Sequence, residues 1–270
     1  MKPSNAPANS IFLENELPVL TRETLRNIAL ENGGYETPHL NDSLYLHYKG
    51  YTKIENLEDY TGLKALWLDS NGFQKIENLG HLKILRCLFL QRNIIRKIEN
   101  LDVLSNLVQL DLSENRIERI ENLSSLKNLS TLNISKNLLK NADSIKHIQL
   151  CHSLSSIDFS NNQIGGEDVI DIFSATSSLV SLNMIGNPIV SELQNFRKRC
   201  IICMKKLRYL DSPIFDNERD SAEAWSVGGR EAELRVKKEW QKKKQDETKN
   251  SLQVSLKYLM LFSSNLTITS

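Results

Sequence analysis

A pair of cysteines is the first feature of this chain from which chemistry could be built. Cys200 and Cys203 form a Cys-x-x-Cys motif, which elsewhere binds zinc or exchanges disulfides. A zinc site needs four ligands, and the two remaining cysteines, Cys87 and Cys151, do not form a second pair. Apolar residues surround the motif. We therefore expect two buried structural thiols and no metal.

Two carboxylates also suggest a site. Asp111 and Asp158 occupy equivalent positions, two copies apart, in the repeat described below. If each copy contributes one strand, ~10 Å separates them, which is close to the spacing in inverting glycosidases. However, a repeat imposes this spacing on any such pair, and an open sheet provides no closed pocket to raise one pKa. We predict that the protein is not an enzyme and has no cofactor.

Composition limits the partners further. The chain has 270 residues, with 34 lysines and arginines against 33 aspartates and glutamates, so its formal charge is +1. This balance argues against a nucleic-acid-binding protein. The sequence shows no secretory signal and no apolar run long enough to span a bilayer. With four cysteines and no disulfide-rich end caps, we expect a cytoplasmic protein that does not bind membranes.

A 22-residue repeat organises the chain and must position any functional residue. Ile-Glu-Asn-Leu begins at Ile54, Ile76, Ile98 and Ile120. Around it the sequence reads Leu-x-x-Leu-x-Leu-x-x-Asn, and 41 leucines and 26 asparagines reflect this pattern. Two later copies are 25 residues long. The repeat predicts an α/β leucine-rich-repeat solenoid in which each copy contacts its neighbours.

Each Leu-x-Leu predicts a short strand of a parallel, concave sheet, with its leucines inward. We predict seven strands and an eighth near Tyr209; the seven are centred at Leu44–Leu46, Leu66–Leu68, Leu88–Leu90, Leu110–Leu112, Leu132–Ile134, Ile157–Phe159 and Leu182–Met184. The asparagine after each strand should be buried and should bond loop backbone. This structural series comprises Asn71, Asn93, Asn115, Asn137, Asn162 and Asn187.

The ends of the solenoid need caps because a terminal repeat lacks a neighbour. Thr21 to Leu30 has helical periodicity, with Thr21 as N-cap and Gly33–Gly34 as a stop. Charge dominates after Pro213, and the end turns apolar and then Ser/Thr-rich. The predicted segments are a flexible N-terminus (1–18), a helical cap (19–40), repeats (41–195), a C-terminal cap (196–214), a charged helix (215–250) and a divergent, disordered tail (251–270); we expect little order from 241 onward.

The residue between the two strand leucines points to the concave surface. In the first three repeats it is Tyr45, Trp67 and Phe89, and Asp111 follows in the fourth. One interpretation is packing: aromatic residues favour strands and stack on one another, here under the N-terminal cap. The other is a protein-binding patch. The predicted partner-binding residues are Tyr45, His47, Trp67, Asp69, Phe89, Gln91 and Asp111.

Several motifs resemble the leucine-rich-repeat dynein assembly factors of motile cilia. They include Leu-Tyr-Leu-His-Tyr-Lys-Gly from Leu44, Leu-Trp-Leu-Asp-Ser-Asn-Gly from Leu66, Leu-Arg-Tyr-Leu-Asp from Leu207 and Ala-Glu-Ala-Trp from Ala222. The resemblance runs from about Thr24 to Trp240. It implies a non-catalytic role in the cytoplasmic preassembly of axonemal dynein arms, needed for motile cilia. Family members continue past the charged helix, and the last 20 residues here do not resemble that continuation.

The favoured interpretation is therefore a monomeric scaffold of cytoplasm and cilium that binds axonemal dynein chains, chaperones or other assembly factors. One alternative is a regulatory subunit of protein phosphatase 1, which uses the same 22-residue repeat class, or another intracellular protein-binding module. That class has a longer solenoid, and the charged helix is not expected in it. An enzyme using the acidic concave positions is the third interpretation.

Overall fold

The computed structural model describes residues 17–266, with side chains through residue 257. The N-terminal segment predicted to be flexible therefore lies almost entirely outside the described residues. The chain divides into two compact units, Met1–Leu138 and Leu139–Ser270.

Helix α1 (Arg22–Glu31) opens the first unit. The Thr21 side chain accepts a hydrogen bond from Thr24 N at 3.1 Å, as an N-cap does. The helix ends at Asn32, and Gly33 follows with a φ of +76°, a conformation that glycine adopts at low cost. Leu25 and Ile28 are buried, so one face of α1 belongs to the core. A 3₁₀ turn, Pro38–Leu40, leads into the sheet.

Five parallel strands with a regular register follow in the first unit. The central leucine of each strand pairs with the central leucine of the next strand, and all five are buried: Leu44, Leu66, Leu88, Leu110 and Leu132. Flanking residues are half-buried, as expected for a strand with one face on the core. The strands are β1 (Ser43–Tyr45), β2 (Ala65–Trp67), β3 (Cys87–Phe89), β4 (Gln109–Asp111) and β5 (Thr131–Asn133).

The second unit continues the pattern with longer connections. Its strands β6 (Ser156–Asp158), β7 (Ser181–Asn183) and β8 (Tyr209–Leu210) are parallel, and β9 (Ser212–Pro213) pairs antiparallel with β8. All seven predicted strands and the eighth near Tyr209 are confirmed. The ninth was not predicted, since a two-residue strand that includes a proline carries no alternation signal.

Helices on the connections explain the two 25-residue repeats. The first contains α2 (Ala142–Ile145) and a 3₁₀ helix (Lys146–Leu150), and the second contains α3 (Val169–Ser174). In the shorter repeats of the first unit, single turns such as Leu82 N to Leu79 O make the same connection. Two further helices, α4 (Pro188–Glu192) and α5 (Phe196–Cys203), lie between β7 and β8.

The predicted asparagine series bonds loop backbone from repeat to repeat. Asn93 is typical: its Nδ2 donates to the carbonyls of Leu68 and Leu90 at 3.1 and 3.0 Å, and its Oδ1 accepts from Phe73 N at 3.1 Å. Asn187 makes the equivalent bonds in the second unit. Five of the six asparagines are buried, and Asn71 is half-buried. One side chain thus satisfies polar groups of two successive turns.

A second asparagine series was not predicted. The asparagine of each Ile-Glu-Asn-Leu has a positive φ and donates Nδ2 to a backbone carbonyl earlier in the chain. The step is 24 residues in three of the four copies, as from Asn78 to Ile54 O at 2.7 Å and from Asn100 to Ile76 O at 2.6 Å. Asn56, in the first copy, bonds Leu20 O instead, 36 residues earlier. Asparagine tolerates the left-handed region better than most residues. The recurrence of Asn, rather than of any polar residue, at this position was the signal from which the series could have been predicted.

The charged C-terminal segment forms helix α6 (Asp216–Leu266), which breaks at Gly228 and Gly229. Gly229 has φ +62° and ψ −155°, which is accessible essentially to glycine alone. Helix α6 continues through the segment from 241 onward, where little order is expected, and is helical over 251–266 of the tail predicted to be disordered. The reason is local: no proline or glycine follows Gly229, and good helix formers dominate. Residues 267–270 lie outside the described residues.

Within residues 17–266, no helix combines the length and apolar character that crossing a membrane requires.

Candidate functional site

Three aromatic rings stack across β1, β2 and β3 of the first unit. The centroids of Tyr45 and Trp67 are 4.4 Å apart with an interplanar angle of 23°, and those of Trp67 and Phe89 are 5.0 Å apart at 17°. The strand register makes this arrangement, because the three residues are Cα partners in turn. All three side chains are half-buried. We call Tyr45, Trp67 and Phe89 the aromatic patch.

A second row of side chains follows the patch two residues further along each strand, on the same face. The His47 ring lies edge-on to the rings of Tyr45 and Tyr48, with centroid distances of 6.3 and 5.6 Å. Asp69 is only 8% exposed. Gln91 is half-buried, and its Oε1 is buried without a hydrogen-bond partner among the described residues. The structure thus brings six of the seven predicted partner-binding residues together on three neighbouring repeats.

Asp111, the seventh, is Cα partner to Phe89 but its carboxylate is already engaged. Oδ1 accepts from Ser113 N and Oγ at 2.9 and 2.7 Å, and Oδ2 accepts from Asn133 Nδ2 at 3.0 Å. Asp158 makes the same kind of bonds to Ser160 N and Asn183 Nδ2 in the second unit. These carboxylates hold the next turn and the next repeat, which is a structural use of the side chain.

A charged row that sequence reasoning missed borders the concave face. Glu114 Oε1 accepts from Arg92 Nε at 3.3 Å and Lys136 Nζ at 3.2 Å, and Arg92 Nη1 donates to Tyr48 Oη at 3.2 Å. Burial alone would raise the pKa of Glu114, but the bonds from Lys136 and Arg92 lower it overall. All four residues have a positive φ. Arg92, Glu114 and Lys136 each precede an asparagine of the repeat series, and Tyr48 precedes the equivalent position of the first repeat. Their 22-residue spacing was the available signal.

The Cys-x-x-Cys motif lies in α5. Cys200 is fully buried and Cys203 is half-buried, and both are free thiols. Burial raises the pKa of both thiols, so neither is activated as a thiolate nucleophile at neutral pH. No group of three or more potential metal ligands occurs among the residues that the structure describes.

Beyond the break in α6, the helix returns along its own first segment. Trp240 Nε1 donates to Asp220 Oδ2 at 3.0 Å. Glu233, 5% exposed, accepts from Lys198 Nζ of α5 at 2.7 Å and from Lys237 Nζ at 2.6 Å. We call α5 with the two segments of α6 the C-terminal hairpin.

The C-terminal hairpin encloses a cleft of about 920 Å³. Two arginines hold its helices together: Arg197 of α5 bonds Glu218 of α6 at 2.8 Å, and Arg219 of α6 donates to Ile201 O of α5 at 3.1 Å. Arg197 also donates to Pro213 O of β9 at 3.0 Å, which ties the hairpin to the end of the sheet. Sequence reasoning missed these ion pairs, because their partners have no fixed spacing.

The repeat, the parallel strands and the asparagine series together define a leucine-rich-repeat protein. The sequence model of that family, described as leucine-rich repeat, matches residues 95–238, more than half of the chain. The chain therefore belongs to the leucine-rich-repeat family.

Its curated relatives carry a more particular name. The chain is 55% identical over 237 residues to human dynein axonemal assembly factor 1, which covers 87% of this chain and 33% of the human protein. It is 49% identical over 248 residues to the Drosophila erecta homolog, covering 90% of this chain and 16% of that protein. The chain thus spans a third or less of these relatives' length, and the resemblance found in its motifs is confirmed.

Among solved structures, a leucine-rich-repeat protein of Leptospira interrogans is 25% identical with a TM-score of 0.48, covering 57% of this chain and 38% of that one.

Proposed function

We propose that the chain is a non-catalytic protein-binding scaffold in the cytoplasmic preassembly of axonemal dynein arms, and is needed for motile cilia. In this proposal it acts as a monomer in the cytoplasm and at the cilium, and its partners are axonemal dynein chains, chaperones or other assembly factors. The similarity to proteins named dynein axonemal assembly factor 1 supports the pathway. The aromatic patch supports the mode of action and is the observation that carries it.

The aromatic patch has the properties of an interface anchor. Its rings hold one another in place at 4.4 and 5.0 Å, so a partner that covers them orders little additional side-chain freedom. Each ring is half-buried on the outward face of its strand, opposite the buried leucines. Large, rigid aromatic residues of this kind are enriched among the residues that carry most of the binding energy in interfaces.

The competing interpretation, that the rings only pack, makes a different prediction about truncation. The core of the repeat is formed by residues such as Leu66 and Leu68, which are fully buried. Removing the Trp67 side chain takes away two stacking contacts, worth about 0.5–1.5 kcal/mol each, and leaves these core leucines in place. Packing alone therefore predicts that the variant loses stability and binds its partner normally. A binding anchor predicts that the variant stays folded and loses affinity for its partner.

The test compares three purified variants in capture of dynein heavy chain from ciliated-cell extract, with melting temperature measured alongside. Trp67→Ala should lose affinity about thirtyfold, equivalent to ~2 kcal/mol, while the domain stays folded. Trp67→Phe keeps a stacked ring and should retain most capture. Asn183→Ala changes the equivalent concave position of the second unit and should bind normally.

Normal capture by folded Trp67→Ala would disprove the anchor role of the patch. Capture of phosphatase catalytic subunit in place of dynein chains and chaperones would disprove the assembly role.

A further inference from the structure

Two acceptor groups beside the aromatic patch lack adequate donors. Among the described residues, the Asp69 carboxylate has one hydrogen bond, from Ser70 Oγ at 3.3 Å, which is long for a hydroxyl donor. Gln91 Oε1 is buried and has none. The two residues are neighbours, because the pairing of β2 with β3 continues beyond the ends of the two strands. Leu68 N donates to Phe89 O at 2.8 Å, and Ser70 N donates to Gln91 O at 2.9 Å.

Asp69 is only 8% exposed as a residue and, among the described residues, forms no ion pair, so its charge is held largely out of water without a cation to compensate it. The basic side chains nearest in the charged row are already committed: Arg92 bonds Glu114 and Tyr48, and Lys136 bonds Glu114. Asp111 differs from Asp69, because both of its oxygens are satisfied by neighbouring groups. The unsatisfied acceptor capacity of this face is therefore concentrated at Asp69 and Gln91.

We infer that Asp69, Gln91 and the edges of the aromatic patch form a subsite for one basic side chain, lysine or arginine, of the bound partner. This inference rests on the proposed function and names the chemistry that its concave face recognises. The methylene stem packs along the ring edges of Trp67 and Phe89, as basic side chains do on apolar surface. The cationic head bonds the Asp69 carboxylate and, after rotation of the terminal amide, Gln91 Oε1.

The ring faces favour this geometry over a cation placed on Trp67. Both faces of Trp67 are covered, one by Tyr45 and the other by Phe89. What remains open to a partner is the row of ring edges, which leads directly to the second row at Asp69 and Gln91. An apolar side chain would cover the rings equally well but would leave both acceptors without a donor, which costs free energy.

The test is titration of the ¹⁵N-tryptophan-labelled chain with blocked amino-acid amides, followed by the indole N–H resonances. N-acetyl-arginine amide and N-acetyl-lysine amide should shift the Trp67 indole saturably, and N-acetyl-norleucine amide, which has a stem but no charge, should do so only much more weakly. The Trp67 signal is assigned by its loss in Trp67→Phe. Trp225 and Trp240 are internal controls, because each already has a lysine near its ring.

Asp69→Asn should weaken the affinity for arginine amide, obtained from the titration of the Trp67 indole shift, at least about fivefold, the equivalent of an ion pair of ~1 kcal/mol. Asp102→Asn makes the same charge change on the exposed connection between β3 and β4 and should leave it unaltered. Equal shifts from norleucine and arginine amides, or an unchanged shift in a folded Asp69→Asn variant, overturn the inference. Since no dynein chain enters this experiment, a positive result without dynein capture would reject the proposed partner and leave the subsite standing.

Discussion

The repeats of the first unit and the C-terminal hairpin of the second are stabilised in different ways. In the repeats, one side-chain type makes one set of bonds at a fixed step, as Asn93, Asn115 and Asn137 show. In the C-terminal hairpin, individual pairs such as Lys198–Glu233 and Trp240–Asp220 join residues 35 and 20 positions apart without any period.

This difference has an energetic consequence. The asparagine bonds lie in a core from which water is excluded, so a lost partner leaves buried backbone groups unsatisfied. The C-terminal hairpin bonds lie at the surface: Lys198 and Lys237 side chains are 30% and 53% exposed. Water can replace a lost partner there. The same kind of substitution should therefore cost much more in the repeats than in the C-terminal hairpin.

The largest expected effect is that of Asn115→Ala. Asn115 Nδ2 donates to Leu90 O at 2.9 Å and Leu112 O at 3.0 Å, and Oδ1 accepts from Ile95 N at 3.0 Å. At about 1–3 kcal/mol for each buried group left unsatisfied, we expect a loss of ~3–5 kcal/mol in the free energy of unfolding. Chemical denaturation measures it.

Asn106→Ala is the matched control. Its Nδ2 makes one exposed bond, to Lys83 O at 2.8 Å, in the neighbouring connection. The expected loss is about 0.5 kcal/mol, as for ordinary surface substitutions. Equal losses from the two variants would show that the buried asparagine bonds stabilise the fold no more than an exposed bond does, which would contradict the comparison.

Gly229→Ala should have an intermediate effect, confined to the C-terminal hairpin. A Cβ at Gly229 would meet no atom within 4 Å, so any cost comes from the backbone conformation alone. At φ +62° and ψ −155° we expect about 1–3 kcal/mol. Hydrogen exchange should show faster exchange in 216–244 and unchanged exchange in β1–β5.

Gly80→Ala serves as its control, because the φ of Gly80 is not positive and the added Cβ would contact Val103 Cγ2 at an ordinary 3.6 Å. Loss of protection throughout the repeats in Gly229→Ala would mean that the C-terminal hairpin and the repeats unfold as one, and that they are not independently stabilised.

The contrast also explains what the sequence could and could not predict about the fold. The strands and the buried asparagines recur at fixed positions, so a pattern of residue types was enough to place them. The extent of α6 was misjudged, because high charge and few apolar residues were taken as evidence against order, whereas helix propensity and the absence of glycine and proline after Gly229 decide the backbone.

For the candidate site, the sequence predicted that Tyr45, Trp67 and Phe89 share a face, which follows from the register. It did not predict that Asp69 is nearly buried while Asp111 is satisfied by Ser113 and Asn133. Both are aspartates near the same row of rings. The bonds of Asp111 do follow a spacing, because Asp158 also bonds a serine two residues on and an asparagine one repeat on. The burial of Asp69 depends instead on which neighbouring side chains cover it, and no spacing rule encodes this.

The smallest expected effect is that of Glu233→Gln. Glu233 is 5% exposed and bonds two lysines, but both lysines extend into solvent and glutamine keeps one acceptor oxygen. The loss should therefore be about 1 kcal/mol rather than the larger cost of stranding a fully buried charge. It is measured as faster hydrogen exchange in 230–244, with Glu239→Gln, an exposed carboxylate on the same helix, as the control.

The pH dependence of the wild-type C-terminal hairpin sharpens this prediction. Hydrogen bonds from Lys198 and Lys237 lower the pKa of Glu233 from its ordinary value of 4.5. A carboxyl group with a lowered pKa in the folded state stabilises that state above its unfolded pKa, and this contribution is lost as pH falls through the folded value. Protection of 230–244 should thus hold above pH 4.5 and decline below it in wild type, while Glu233→Gln shows no such step. An identical acid decline in both proteins would assign the transition to other carboxylates and leave the Lys198–Glu233–Lys237 contact without a measurable part in holding the C-terminal hairpin.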